Sequence, residues 1–160
     1  MLMASTHRMW VPGFIHKSHN VSVLLYHFVC PTIYRRAVIT PAVDAALVAI
    51  CLEIADRYEI EFIEIGADRN HVHFLVQSVP AYSPTKIIRT LKSITTRELL
   101  ARMPLLKKSL WGGSFWSSGY YVNSVGRYGN ESGTRRYIAE QGLPDYQPLY
   151  DGQLSLFEQH

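Results

Sequence analysis

A chain of 160 residues has the length of one domain and can bury a real core. With 48% apolar residues, a mean hydropathy of -0.02 and a net charge of +3 it reads as a soluble globular protein whose charge alone is a weak pointer to nucleic acid. The longest apolar run, Ala45 to Leu52, is too short to span a bilayer, and Met1 to Phe14 holds no stretch of signal-peptide length. Cys30 and Cys51 follow no metal or disulfide spacing, so reduced thiols, a cytoplasmic location and no membrane association are expected.

Residues 1–18 show no period and contain Pro12 and Gly13, which predicts a flexible leader, and residues 19–142 read as one domain. From Asn20 to Cys30 apolar residues fall on both faces of a strand, as in a central strand covered on two sides. Tyr34-Arg35-Arg36-Ala37-Val38-Ile39 is a short extended piece. Thr40-Pro41 then pairs an N-cap with proline at the first helical position, and Val43, Leu47, Ile50 and Ile54 form the core stripe of a helix to about Tyr58. Ile60 to Ile65 reads as a strand, and the turn chemistry of Gly66 to Asn70 joins it as a hairpin to a second strand closed by Pro80.

Ser83-Pro84 repeats the cap-plus-proline signal and opens a helix to about Arg102, with Ile87, Ile88, Leu91 and Ile94 buried. Lys86, Arg89, Ser93, Thr96 and Arg97 share the opposing arc, which is either plain solvated surface or a phosphate-binding face. Glu98 falls inside the apolar arc and needs a cationic partner or a bend in the helix. Pro104 to Ser118 reads as a loop in which tryptophans near Lys107 and Lys108 stack on unpaired bases or act as plugs anchoring the loop. Lys86, Arg89, Lys92, Arg97, Arg35, Arg36, Trp111 and Trp116 are the candidate DNA contacts. Tyr120 to Val125 reads as another strand, and a short helix follows from about Glu131 to Gln141, ended by Gly142 and Pro144. Residues 143–160 carry no period and are expected to form a flexible tail. The element order predicts an α+β fold of the ferredoxin-like, split βαβ kind. One antiparallel sheet carries two helices on one face, with an appended C-terminal helix.

The candidate chemistry lies in Asn70-His71-Val72-His73-Phe74-Leu75-Val76. Alternation along a strand sends His71 and His73 to one face, roughly 6.5–7 Å apart, close enough for two imidazoles to meet on one ion. The plain alternative is two half-exposed histidines that happen to alternate. Far downstream, Tyr137 and Gln141 stand four apart and share a helical face. A tyrosine is a sensible nucleophile toward a phosphodiester, and the aryl phosphate it forms conserves the energy of the cut bond. With Gln141 as a third ligand to a metal held by His71 and His73, an oxygen- and imidazole-rich site suits Mg2+ or Mn2+.

His71-Val72-His73 resembles the His-hydrophobic-His motif of the HUH endonucleases, and Tyr137 with Gln141 resembles the catalytic helix of the single-tyrosine transposases of the insertion-sequence-two-hundred type. Tyr34-Arg35-Arg36, the helix Ile87 to Leu99, and Trp111 followed by Trp116, Gly119 and Tyr120-Tyr121-Val122 extend the likeness over about Asn20 to Gly142. Asn70 stands where the family often carries aspartate, and Ile33 where a basic residue is common before the tyrosine. Tyr120, Tyr121 and Tyr128 are rival nucleophiles, but none has a glutamine four residues on. The resemblance implies a homodimer whose sheets pair across the interface, in which one protomer's tyrosine helix can complete its partner's metal site. It also implies recognition of hairpins in single-stranded DNA, and cutting and rejoining through a 5′-phosphotyrosine. A domesticated relative acting on chromosomal repeats, or a non-catalytic nucleic-acid-binding module, are the competing expectations. In the tail, Gln153, Leu154, Leu156 and Phe157 resemble the short peptide that docks bacterial repair proteins on the sliding clamp.

Overall fold

The computed structural model describes residues 15–16, 21–33, 39–68, 70–110, 113–125 and 145–152. The candidate residues Arg35, Arg36, Trp111, Tyr137, Gln141, Gln153, Leu154, Leu156 and Phe157 lie outside them. A two-stranded antiparallel pair, β1 (Ile15–His16) and β2 (Val21–Ser22), precedes the main sheet.

The main sheet is built from β3 (Leu24–Pro31), β4 (Glu61–Ala67), β5 (His71–Ser78), β6 (Tyr121–Val125) and β7 (Gln147–Asp151), in the order β6-β3-β5-β4-β7. All neighbours are antiparallel. The first four strands, with helices α1 (Pro41–Arg57) and α2 (Pro84–Arg102) inserted after β3 and β5, give the ferredoxin-like arrangement. Both helices begin as expected: Thr40 Oγ1 accepts from the Val43 N–H at 3.3 Å and Ser83 Oγ from the Lys86 N–H at 3.1 Å, each followed by proline.

The core lies between one face of the sheet and the helices. Phe28, Cys30, Phe62, Ile65, Val72, Phe74 and Val76 meet Val43, Leu47, Ile50 and Ile54 of α1 and Ile87, Ile88, Leu91 and Leu99 of α2. A bulge between Phe62 and Glu64 resets the alternation of β4, which is why Phe62 and Ile65 both reach the core. A smaller cluster of Leu25, Ile63 and Leu75 occupies the opposite face. Glu98 receives the guanidinium of Arg102, at 3.3 Å from Nε, and Arg102 also binds Glu53, tying α2 to α1.

Two segments differ from expectation. Pro104–Ser109, expected in a loop, is a short helix, α3, with proline in its first turn and Leu106 and the following Leu110 buried in the core. Part of the expected flexible tail, Gln147–Asp151, is a strand. Its backbone pairs with β4 and covers an edge that would otherwise present open hydrogen-bonding groups.

Candidate active site

His71 opens β5 and His73 follows on the same face, opposite Val72 and Phe74, which point into the helical core. Asp68, in the turn between β4 and β5, joins the two imidazoles. Its Oδ1 lies 3.1 Å from His71 Nδ1 and its Oδ2 2.8 Å from His73 Nε2. The same carboxylate accepts from the backbone N–H groups of Asn70 at 3.0 Å and His71 at 2.9 Å. It therefore closes the turn and organises the histidines together.

Behind this trio the site continues across the sheet. His27 of β3 places Nε2 3.1 Å from His73 Nδ1, and the two rings stack with centroids 5.3 Å apart. On the other side, Gly66 pairs with His73 across the ladder, and the Tyr146 ring lies over Gly66 with its edge toward His73 at 5.5 Å between centroids. The Tyr146 hydroxyl donates to Glu64 Oε1 at 2.8 Å.

The electrostatics follow from burial and these contacts. Burial pushes the Asp68 carboxyl up, but hydrogen bonds from His73, the Asn70 N–H and His71 outweigh it and hold the group below its ordinary value. Burial lowers His73, with Asp68 opposing. Burial and the neighbouring His73 bring His27 down to about 4 against a hydrogen bond to Asn123, so His27 is neutral at physiological pH. Burial and the Glu64 carboxylate push the Tyr146 phenol far above its usual range, which makes it a hydrogen-bond donor and a poor nucleophile.

Among the described residues no three or more His, Cys, Asp or Glu side chains are set out as a metal cage. The imidazole pair offers two nitrogens beside an anionic oxygen, donor chemistry suited to a divalent cation that takes the place of the hydrogen-bonded protons. The expected third ligand, Gln141, lies outside the described residues.

The cationic candidates divide. Lys86, Arg89 and Arg97 are exposed along α2, with Lys86 over the Tyr82 ring at 4.6 Å and Arg97 beside Glu98 at 3.8 Å. Arg89, Ser93, Thr96 and Arg97 border a groove of about 740 Å³ whose other wall is the Gly113–Ser118 segment. Lys92 is not a free contact: its ammonium donates to the carbonyls of Ser117, at 3.1 Å, and Gly119, pinning that segment to α2. Trp116 is not a stacking platform either. It is 5% exposed, donates its indole N–H to Thr95 Oγ1 at 2.9 Å, and packs edge-on against Phe74 and Phe115. The segment it anchors binds the end of β3, where the Ser117 N–H donates to the Pro31 carbonyl at 3.0 Å and Pro31 faces His71 across the ladder.

Sequence patterning found His71 and His73 but not Asp68, His27, Glu64, Gly66 or Tyr146. Asp68 carried a signal, an Asx residue three positions before one histidine and five before the other. The contacts of His27 and Tyr146 arise from strand pairing, which no local pattern announces.

A ferredoxin-like sheet with paired histidines and a carboxylate on the face away from its helices, and a basic helix on the other, has the architecture of a small DNA-processing enzyme. The chain belongs to the IS200-like transposase family, whose model, described as Transposase IS200 like, matches residues 20–141. It is 29% identical over 118 residues to the ISDra2 transposase TnpA of Deinococcus radiodurans, covering 74% of this chain and 84% of that protein. It is 27% identical over 116 residues to the transposase of insertion sequence element IS200 of Salmonella typhimurium, covering 72% and 75%. A crystal structure of a Deinococcus radiodurans protein superposes with a TM-score of 0.63 at 27% identity, covering 79% of this chain and 94% of that one. DNA transposition is the activity this membership carries, and no helix among the described residues is long and apolar enough to cross a membrane.

Proposed function

We propose that the protein cuts and rejoins single-stranded DNA at the hairpin-bearing ends of a small insertion sequence, with Tyr137 as nucleophile. The observation that carries this is the convergence of His71, His73 and Asp68 on one face of the central strand. The Tyr137 phenol gives up its proton to a base and attacks phosphorus. A tyrosine O–P bond forms, the P–O3′ bond breaks, and the leaving oxygen takes up a proton as a free 3′-hydroxyl, leaving a 5′-phosphotyrosine. Reversal by another 3′-hydroxyl rejoins the strand without an external energy source. His71, His73 and Gln141 would hold Mg2+ or Mn2+, which supplies Lewis-acid polarisation of a phosphate oxygen.

Lys86, Arg89 and Arg97 of α2, with Arg35, Arg36 and Trp111, contact the DNA in this reading. Because α2 and the histidines lie on opposite faces of the sheet, a strand touching both passes round the Pro31–His71 end, beside the segment pinned by Lys92. The protein works in the cytoplasm as a homodimer, and β6, an edge strand among the described residues, presents one row of backbone groups outward for pairing of two sheets. The Gln153 to Phe157 peptide docks on the bacterial sliding clamp; deleting it should abolish capture of the clamp, and unchanged capture overturns that part.

The central test is incubation of labelled single-stranded hairpin DNA from the gene's own flanks with protein and Mn2+ or Mg2+, resolved on a denaturing gel. A metal-dependent covalent adduct lost in Tyr137→Phe is expected. An adduct that persists moves the chemistry to another tyrosine, and binding without any adduct favours a non-catalytic module. Flanks that lack mobile-element ends favour a domesticated relative.

A further inference from the structure

The mechanism above leaves one buried imidazole without a role. His27 and His73 are 2% and 4% exposed, their rings are stacked, and Nε2 of the first lies 3.1 Å from Nδ1 of the second. Two neutral imidazoles in such contact share one proton, one ring donating and the other accepting. On its far side His27 stands directly opposite Asn123 in the β3–β6 ladder. The Asn123 amide N–H donates to the Ser124 carbonyl at 3.3 Å, so the amide oxygen is the acceptor atom it can offer to His27.

A histidine that binds a cation through Nε2 carries its proton on Nδ1, and the partner of that N–H fixes ring and tautomer. We propose that His27 is the positioning residue of the site: without a cation the Nε2–H of His73 donates to Asp68, and when a divalent cation takes the place of that proton His27 accepts the Nδ1–H of His73, keeping the Nε2 lone pair on the cation, while Asn123 holds His27 in the matching tautomer. This rests on the reading of His73 as a metal ligand. The relay runs across three adjacent strands, β6, β3 and β5, and places no charge in the interior. An apolar side chain at position 27 leaves the His73 Nδ1–H buried without its acceptor. The ring is then held more firmly in the tautomer whose Nε2–H donates to Asp68 at 2.8 Å, which has no lone pair for a metal.

The experiment is a Mn2+ titration of the full chain without DNA, following free ion by electron paramagnetic resonance, for wild type, His73→Ala, His27→Phe, His27→Gln and Asn123→Val. His73→Ala should abolish the site. His27→Phe should weaken binding roughly 10- to 100-fold, and His27→Gln, whose amide oxygen can accept the same proton, should recover most of it. Asn123→Val, at a half-buried strand position, should fall between wild type and His27→Phe and serves if the Phe variant does not fold. In Mg2+-saturated wild type, imidazole 15N spectra should show both rings protonated at Nδ1, a signature that a merely space-filling His27 does not require. Mn2+ binding by His27→Phe equal to wild type, with His73→Ala inactive in binding, overturns the proposal while sparing the metal reading. Wild-type binding no stronger than that of His73→Ala removes the metal reading, and the proposal with it.

Discussion

Asp68 and Gly66 show how much of the site depends on single atoms. A carboxylate that accepts two backbone N–H groups and two imidazoles locks the hairpin and the histidine rotamers in one step. Gly66 is glycine for a different reason: a Cβ there would stand 2.1 Å from the Tyr146 ring. Gly66→Ala must expel that ring and break its hydrogen bond to Glu64, at a cost of about 2 kcal/mol in urea unfolding. In a Tyr146→Ala background the same substitution should cost far less, a coupling of at least about 1 kcal/mol in the double-mutant cycle; additive losses would show that the ring is not what excludes the methyl group. The period of two in His71-Val72-His73 was legible because strand alternation is local. Asp68 was legible only as a turn residue, since its reach to His73 depends on how the hairpin curves. Trp116 looked equally suited to stacking or anchoring, and only the position of the Thr95 hydroxyl decides for anchoring.

At the level of elements, α2 carries two functions on one cylinder. Its apolar stripe and its N-cap follow from local sequence, and so did the need of Glu98 for a cation. What the sequence could not separate was Lys92 from Arg89 and Arg97, because a helical arc does not say which cation meets a neighbouring loop carbonyl. The separation is measurable. Arg89→Ala and Arg97→Ala should each weaken binding of single-stranded DNA and reduce the slope of log affinity against log salt by about 0.7, the amount expected for one lost phosphate contact. Lys92→Met should leave that slope unchanged and instead speed proteolysis or amide exchange across Ser117 to Gly119, whose carbonyls lose their ammonium. A slope change for Lys92→Met equal to that of the arginines would place its charge on the DNA. The β7 strand escaped the sequence reading because Gln147-Pro148-Leu149-Tyr150-Asp151 has no clean alternation; it is a strand because β4 offers it an edge.

Across the whole molecule, the helical layer is sealed from water and the face of the sheet turned away from the helices carries the chemistry, and the two cysteines mark the helical side. Cys30 and Cys51 are fully buried between sheet and helices. Burial pushes the Cys30 thiol up to about 12, with Lys92 partly opposing, and burial pushes Cys51 up as well, aided by Cys30. Both groups keep their protons in the fold, whereas in the unfolded chain they ionise near the ordinary value of about 8.5. The sign follows: the unfolded state binds fewer protons above that value, so stability is intact below it and declines as pH rises. Each thiol contributes a loss of about 1.4 kcal/mol per pH unit in that window. Urea unfolding under reducing conditions at pH 7, 8, 9 and 10 should therefore show a steeper alkaline decline in wild type than in Cys51→Ala. The difference should approach about 1.4 kcal/mol between pH 9 and 10, beyond the constant cost of the smaller side chain. Parallel curves would mean that Cys51 ionises alike in both states, which a thiol sealed between sheet and helix cannot do. The same sealing predicts that neither thiol reacts with a water-soluble thiol reagent at pH 8 until the chain unfolds.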